Sequence, residues 1–324
     1  MVGPNRARRA PRVLVAGSAN LDIVISVCRL PVPGETVLGD GYQESWGGKG
    51  ANQALAALKA GADVRLVVAT GRDYHGAAYR KYLTERGIQR RGFFTVPAPT
   101  GTALVVVDKK GRNQIAVSPG ANALLTSRRL NEKKGVLEFG EVVLAQFEIP
   151  LSSVEAAFRS ARRRGAITIL NPAPVPRGEL TRVFSLVDII VPNETEAIVL
   201  AGKVSPRGEV GLLRVCRAIR EKGAKFVVMT AGERGALALG EGWSVWVRPP
   251  SGIRSTDTTG AGDAFSGALA ASLAGGSSML DAVRFAVAAG SLSTRKRGAQ
   301  DGLPGRRAIS VAAKRTVLEV ISRG

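Results

Sequence analysis

One stretch of this 324-residue chain combines an anion-binding pattern with a carboxylate: Asp257-Thr258-Thr259-Gly260-Ala261-Gly262-Asp263. It runs into AFSGALAASLAG, where Ala264, Ala268 and Ala271 put small residues on one side of an expected helix. Gly260 and Gly262 then stand where the chain turns into that helix. Glycine lets the backbone approach a ligand closely and take positive φ. The first N–H groups of a helix have no internal partner and carry the positive end of its dipole, so this turn suits a phosphate. Asp263 follows the glycines into the first turn. A carboxylate beside a phosphate site is electrostatically unfavourable unless it has a task, and taking the proton of an attacking hydroxyl is such a task. The plainer reading is a first-turn aspartate that complements the helix dipole; this segment alone leaves both open.

Three further segments have chemistry-bearing residues at helix starts or strand ends. Trp46-Gly-Gly-Lys-Gly-Ala-Asn-Gln53 leads into the helical ALAALKAG. It is not a Walker A loop, because Gly50 follows Lys49 where that motif has Ser or Thr. Asn52 both donates and accepts hydrogen bonds, which suits a polyol; Lys49 either reaches a transferred phosphoryl group or is solvated. Asn193-Glu-Thr-Glu196 follows an apolar strand, and its amide and carboxylate, three apart, share a helix face. They read either as a holder of hydrated Mg²⁺ or as a helix cap with first-turn acids. Thr230-Ala231-Gly232-Glu233-Arg234-Gly235 is a glycine turn after the strand-like Phe226–Met229. In open parallel sheets ligands bind outside the carboxyl ends of strands, and all four segments fall at such places or at an adjacent helix start.

The elements that must position them alternate. Strands are expected at Arg12–Ala16, Val64–Ala69, Val142–Phe147, Ile167–Leu170, Asp188–Val191 and Phe226–Thr230. Between them lie helical stripes: Leu212, Val215, Cys216 and Ile219, and also Val154, Ala157, Phe158 and Ala161 behind a capping-box pattern, Ser152-x-x-Glu155. Short apolar strands separated by helices read as βαβ units around a mostly parallel sheet, with right-handed crossovers and helices on both faces. Residues 22–45 and 92–118 break the alternation. Ile23–Val27, Thr36–Leu38, Thr102–Val107 and Gln114–Val117 read as strands of a second, smaller sheet, a lid over the site. A last helical pattern runs over Ala308–Ile321, and residues 1–11 read as a basic tail.

Composition excludes several classes. A 45% apolar, 22% charged chain of this length is globular, and no apolar run reaches the roughly 18 residues of a membrane span. His75 is the only histidine, which removes the usual Ser-His-Asp hydrolysis and multi-histidine metal sites. Cys28 and Cys216 make neither a disulfide framework nor a zinc site, so a reducing, cytoplasmic setting is expected. The net charge of +20 favours anions. Yet the basic clusters Arg162–Arg164 and Arg295–Arg297 come with no zinc-finger spacing or RNP-like aromatic strand, so specific nucleic-acid binding is not expected.

Taken together, Gly17-Ser-x-Asn20-x-Asp22, Pro33-Gly-Glu-Thr36, Gly47-Gly-Lys-Gly-Ala-Asn52, Asn171-Pro-Ala-Pro174, Asn193–Ala197 and Asp257–Asp263, in that order, resemble the PfkB carbohydrate kinase family over nearly the whole chain. GGKGANQA, GAN at 120–122 and NPAP resemble its ribokinase branch more than its fructokinase or adenosine kinase branches. The resemblance implies a three-layer α/β/α kinase domain over 12–324, with a mostly parallel central sheet and a small β-sheet lid. It implies transfer of the ATP γ-phosphoryl group to the 5-hydroxyl of D-ribose. Asp263 would be the base, and the backbone of Gly260, Ala261, Gly262 and Asp263 the anion hole. Asn20, Asp22, Gly48, Lys49, Gly50, Ala51, Asn52 and Glu148 would hold the sugar. Asn193 and Thr230–Gly235 (Thr230, Ala231, Gly232, Glu233, Arg234, Gly235) would line the ATP site, with Gly262 and Asp263 at its phosphate end. Glu196 would position Mg²⁺ through water. A cage of Asp257, Thr259, Ser293, Lys296, Gly298 and Gly302 would hold K⁺, partly through backbone carbonyls; Gly302 stands where the family more often has serine. A homodimer through the two lids is expected. The readings that stay open are another acceptor (deoxyribose, a fructose-type sugar or a nucleoside) and a non-catalytic sugar- or nucleotide-responsive regulator.

Overall fold

Val13 and Val15 point to one side of the first strand and Leu14 and Ala16 to the other, and both sets are buried. A strand wet on neither face belongs inside a layered sheet. In the computed structural model, which describes residues 10–202, 204 and 206–323, this strand is β1 (Arg12–Ala16). It is followed by β2 (Asn20–Val27), β3 (Gly39–Gly47), α1 (Lys49–Lys59), β4 (Asp63–Gly71), α2 (Tyr74–Glu85), β5 (Phe93–Val96), β6 (Gly101–Asp108) and β7 (Asn113–Ser118). The middle of the chain holds α3 (Ser127–Asn131), β8 (Val142–Ala145), α4 (Leu151–Arg163), β9 (Ile167–Leu170), α5 (Thr181–Phe184), β10 (Ile189–Ile190), α6 (Glu194–Ala201) and α7 (Gly208–Arg220). The rest is β11 (Phe226–Thr230), β12 (Ala236–Gly240), β13 (Trp243–Arg248), α8 (Ala261–Ala274), α9 (Met279–Ser293), α10 (Arg306–Ala313) and β14 (Val317–Arg323).

Among the described residues the larger sheet has the order β14-β13-β12-β11-β10-β9-β8-β1-β4-β5. From β11 through β5 all pairings are parallel; β12, β13 and β14 add antiparallel strands at one edge. One apolar layer packs α1, α2, α8, α9 and α10 on one face, and a second packs α3 to α7 on the other. The two stretches that break the alternation meet in the smaller sheet, order β3-β2-β6-β7. There β2 and β6 pair in parallel from Asn20↔Gly101 to Val27↔Asp108.

Some expectations are corrected. Phe93–Val96, expected in the lid, instead pairs with Val68–Gly71 at the edge of the large sheet. Thr36–Leu38 carries no strand; the strand is the polar Gly39–Gly47, held by its ladder to β2. Ser152 does not cap α4. The N-cap is Pro150 and Ser152 lies within the first turn. The pattern over Ala308–Ile321 divides into α10 and β14, because the β-branched Val317, Val320 and Ile321 continue as a strand against β13. The expected basic tail falls mostly on residues 1–9, outside the described residues.

Candidate active site

The small residues of α8 bring its first turn against α1. At Gly267 a Cβ would come within 2.5 Å of the Gln53 carbonyl oxygen and 2.6 Å of the Ala56 Cβ, so the helices touch backbone to backbone. That approach carries the buried side chains of Asn52 and Gln53 to the start of α8. Asn52 Nδ2 donates to Asp263 Oδ2 at 2.9 Å, and Gln53 Nε2 donates to Asp263 Oδ1 at 2.8 Å. The carboxylate is 7% exposed. Each oxygen accepts one hydrogen bond and keeps a second lone pair free.

The turn before it is built on Gly260 in the left-handed region, φ 75°. A Cβ there would lie 2.7 Å from Ala299 Cα. The N–H of Ala261 donates to Thr258 O at 3.1 Å, closing the turn. The Ala261 N–H is thus engaged within the turn. The N–H groups of Gly262 and Asp263 have no acceptor among the described residues, and they sit at the positive end of a 14-residue helix.

On the other wall, Asn20 and Asp22 belong to β2, and Asn20 Oδ1 accepts from Asn122 Nδ2 at 2.7 Å. Asn122 also accepts from Ala19 N–H at 3.0 Å, so it fixes the Asn20 amide. Glu148 Oε2 accepts from the Ser18 hydroxyl and, at 3.0 Å, from the Lys49 N–H. The N–H groups of Gly50 and Ala51 donate to Ser18 Oγ at 3.3 Å and to Ser18 O at 2.9 Å, and both residues are buried. They seat α1 on the β1–β2 turn. Gly48 is the N-cap of α1 at φ 89°.

Five ionisable groups feel one another across this cleft. Burial pushes the Asp22 carboxyl up to about 7; Glu148 and Asp263 add to that, and Lys49 opposes it. Burial lowers the Lys49 ammonium, but Asp263, Glu148, Glu196 and Asp22 outweigh it and hold its pKa above the usual lysine value. Lys49 is thus a charged group amid four carboxyls. Glu196 is raised, chiefly by burial, against the pull of the Asn193 N–H and Lys49.

Asn193 and Glu196 form a full capping box at α6. Asn193 Oδ1 accepts from the Glu196 N–H at 2.8 Å, and the Glu196 oxygens accept from Asn193 N–H at 2.9 Å and from its Nδ2 at 3.0 Å. The helix-cap reading of this pair is therefore realised. Thr230 bridges to Asn193, and its N–H donates to Pro192 O at 2.9 Å. The turn from Ala231 to Gly235 is closed by Ala231 N–H to Gly235 O at 2.8 Å, with Arg234 paired to Glu194. Asn193 and Thr230–Gly235 thus line one ledge at adjoining strand ends.

Among the described residues no three His, Cys, Asp or Glu side chains converge on a metal position, and both Glu196 oxygens already accept bonds. These residues fit a Mg²⁺ that arrives on phosphates and is held through water. Around Gly302, one of the residues expected at a K⁺ cage, backbone oxygens lie close together. A Cβ at Gly302 would lie 2.5 Å from Ser293 O, 3.3 Å from Lys296 O and 3.4 Å from Gly298 O, so three carbonyls converge beside a residue without a side chain. Such a set of oxygens fits a hard monovalent cation. Asp257 braces the surrounding loops: its oxygens accept from Thr259 N–H and Gly298 N–H, each at 2.9 Å. Burial raises its pKa, but those two N–H groups prevail and hold it below the usual carboxylate range. Two depressions, of about 530 and 370 Å³, share Lys225 and Phe226 at the amino ends of the strands, away from this cleft.

A family model described as pfkB family carbohydrate kinase matches residues 10–306. The chain belongs to the pfkB family of carbohydrate kinases. It is 37% identical to a ribokinase of Haemophilus influenzae over 90% of this chain and 95% of that one. It is likewise 37% identical to a ribokinase of Mus musculus, over 84% of each. The structure of an Arabidopsis thaliana ribokinase complexed with ribose and ATP is similar in fold, with a TM-score of 0.83 at 30% identity, covering 94% of this chain and 99% of that one. In this pfkB protein, sequence reasoning missed Ser18, Gln53, Tyr79, Asn122 and Gln300 as parts of the site. Ser18, Gln53 and Asn122 lay in the motifs Gly17-Ser-x-Asn20-x-Asp22, GGKGANQA and GAN, which gave a signal; Tyr79 and Gln300 gave none.

Proposed function

We propose that this chain phosphorylates D-ribose at its 5-hydroxyl with ATP, giving ribose 5-phosphate and ADP. The observation that carries this reading is the buried Asp263 carboxylate beside the unbonded N–H groups of Gly262 and itself. In this reading Asn20, Asp22, Lys49, Asn52 and Glu148 hold the sugar hydroxyls. Asp263 accepts the proton of the 5-hydroxyl as that oxygen attacks, and the Gly262 and Asp263 amides meet the charge on the transferring group. Lys49, charged in a buried setting, stands within the field of Asp263 and helps offset that negative charge. Phosphoryl transfer asks mainly for positioning and charge stabilisation, which these rigidly bonded groups supply. The nucleotide lies along Asn193 and Thr230–Gly235. Glu196 would help hold Mg²⁺ through water, and that ion would supply charge neutralisation at the phosphates. The carbonyls of Ser293, Lys296 and Gly298 would hold K⁺, which would supply positive charge near the turn at Gly260. Asp257 and Thr259 steady that loop.

The smaller sheet acts as a lid. Asp22, Val24, Val105, Ile115 and Val117 share one of its faces by strand register. Ile115 is 58% and Val117 52% exposed there, and a second lid covers them in a homodimer. The reading places the enzyme in a reducing, cytoplasmic setting.

A coupled assay of ADP release over ribose, deoxyribose, fructose and adenosine tests the acceptor. Ribose is expected to give the highest kcat/KM. A better rate with any of the others assigns the same chemistry to that acceptor instead.

A further inference from the structure

We propose that Gln300 is a positioning residue that ties the cation-cage loop and the root of the smaller sheet to the catalytic carboxylate. The inference rests on the kinase reading above and adds a residue to it. Gln300 lies between the cage residues Gly298 and Gly302 and is 7% exposed. Its Nε2 donates to Asn52 Oδ1 at 2.8 Å and to Tyr79 Oη at 2.9 Å. Asn52 passes the contact to Asp263 Oδ2. Tyr79, fully buried, donates to the Gly47 carbonyl at 2.6 Å. It also stacks on Trp46, with ring centroids 4.5 Å apart and planes 14° from parallel. Trp46 and Gly47 are the last residues of β3, where the smaller sheet joins α1.

The direction of every bond in this chain is forced. An ionised Asp263 only accepts, so Asn52 presents its Nδ2 there and its Oδ1 to Gln300. The Gly47 carbonyl only accepts, so Tyr79 gives it the hydroxyl hydrogen and presents a lone pair to Gln300. Both neighbours therefore need a donor at position 300, and a single amide NH₂ serves both. Its other atom, Oε1, is buried without a partner. A buried polar atom left unsatisfied is unfavourable, so the geometry keeps the two donor contacts at the expense of the acceptor. The same loop touches the anion-hole turn a second time through Ala299, packed on Gly260. A shift of this loop therefore reaches the proton acceptor through Asn52 and the phosphate amides through Gly260.

Two substitutions test the relay. Gln300→Met keeps size and removes the donor. The expected result is a fall in kcat of roughly 10-fold to 100-fold, the range for losing a group that orients a functional ligand, with KM for ATP unchanged. Gln300→Glu sets an acceptor against two acceptors. Asn52 then turns its amide, bringing its oxygen to Asp263, and the acid limb of the kcat–pH profile moves to higher pH. A carboxyl-¹³C NMR titration of Asp263 reads the same change without turnover. Its ionisation is expected at higher pH in Gln300→Glu than in the parent, and at the parent's position in Gln300→Met when Asn52 keeps its own bond. Parent-like kcat in Gln300→Met overturns the proposal. So does an equal loss in both variants with the Asp263 titration unmoved in Gln300→Glu, which marks packing alone. A parent that phosphorylates no sugar defeats the kinase reading, while the NMR titration still decides the relay.

Discussion

Replacing Asp22 with Asn is expected to make the ligand-free protein more stable and a poorer kinase at the same time. The Asp22 carboxyl lies against Gly47 (a Cβ there would be 2.0 Å from its Oδ2). Burial, with Glu148 and Asp263 adding to it, raises its pKa from 3.8 to about 7. The folded value lies above the unfolded one, so between those two pH values the folded chain keeps a proton that the unfolded chain releases. Stability is therefore full below about pH 4 and falls as pH rises to about 7. At about 1.4 kcal/mol per tenfold, ionised Asp22 above pH 7 costs on the order of 4 kcal/mol. Unfolding entropy near 2.1 cal/mol/K per residue gives about 0.7 kcal/mol/K for this chain, so Asp22→Asn should melt about 6 °C higher at pH 8. At pH 4 the two should melt together. Ribose is expected to narrow the gap at pH 8, because its hydroxyls donate to the carboxylate of the parent. The parent's KM for ribose should rise as pH drops below 7, about tenfold per pH unit once Asp22 is mostly protonated, and Asp22→Asn should lose that dependence while its KM stays high. Thermal scans at both pH values, with and without ribose, together with KM against pH, measure all of this. Equal melting at pH 8 refutes the electrostatic picture of the cleft.

Gly302→Ala puts a methyl 2.5 Å from the Ser293 carbonyl; displacing one cage oxygen should raise half-saturating K⁺ about tenfold, within the range of one lost polar contact. An unchanged K⁺ titration removes these carbonyls from the cation's site. Light scattering at micromolar concentration should give twice the chain mass for the parent and a shift to the single-chain mass for Ile115→Lys. A monomeric parent contradicts the lid-to-lid dimer.

The legible parts of this molecule are those with local causes. The glycine turn into α8 was readable because its conformational demand and its carboxylate lie within four residues. The parallel strands were readable because β1, β9 and β11 are short apolar runs. Two misreadings came from patterns too short to separate the periods. Val317–Ile321 fits a helical stripe as well as a strand until β13 supplies a ladder, and Ser152-x-x-Glu155 looks like a cap until Pro150 takes that place. Gly39–Gly47 has poor strand formers and is made a strand by its partner β2. The site's bracing was not legible because its pairs are far apart in sequence. Asn52 and Gln53 reach Asp263 over 211 and 210 residues, and Gln300 reaches Asn52 over 248. No local pattern announces such pairs. Asn193 and Glu196, by contrast, carry a helix-cap pattern within four residues, and the structure shows both side chains engaged in it.

The most direct test is turnover and ATP binding in Asp263→Asn. The variant keeps the size of the side chain and the backbone amides at positions 262 and 263 but loses the proton acceptor. Turnover should fall roughly 10²-fold to 10⁴-fold, the scale of a lost general base, with ATP affinity and fold retained. Turnover near that of the parent would show that another group takes the hydroxyl proton, and the account of this cleft would be wrong.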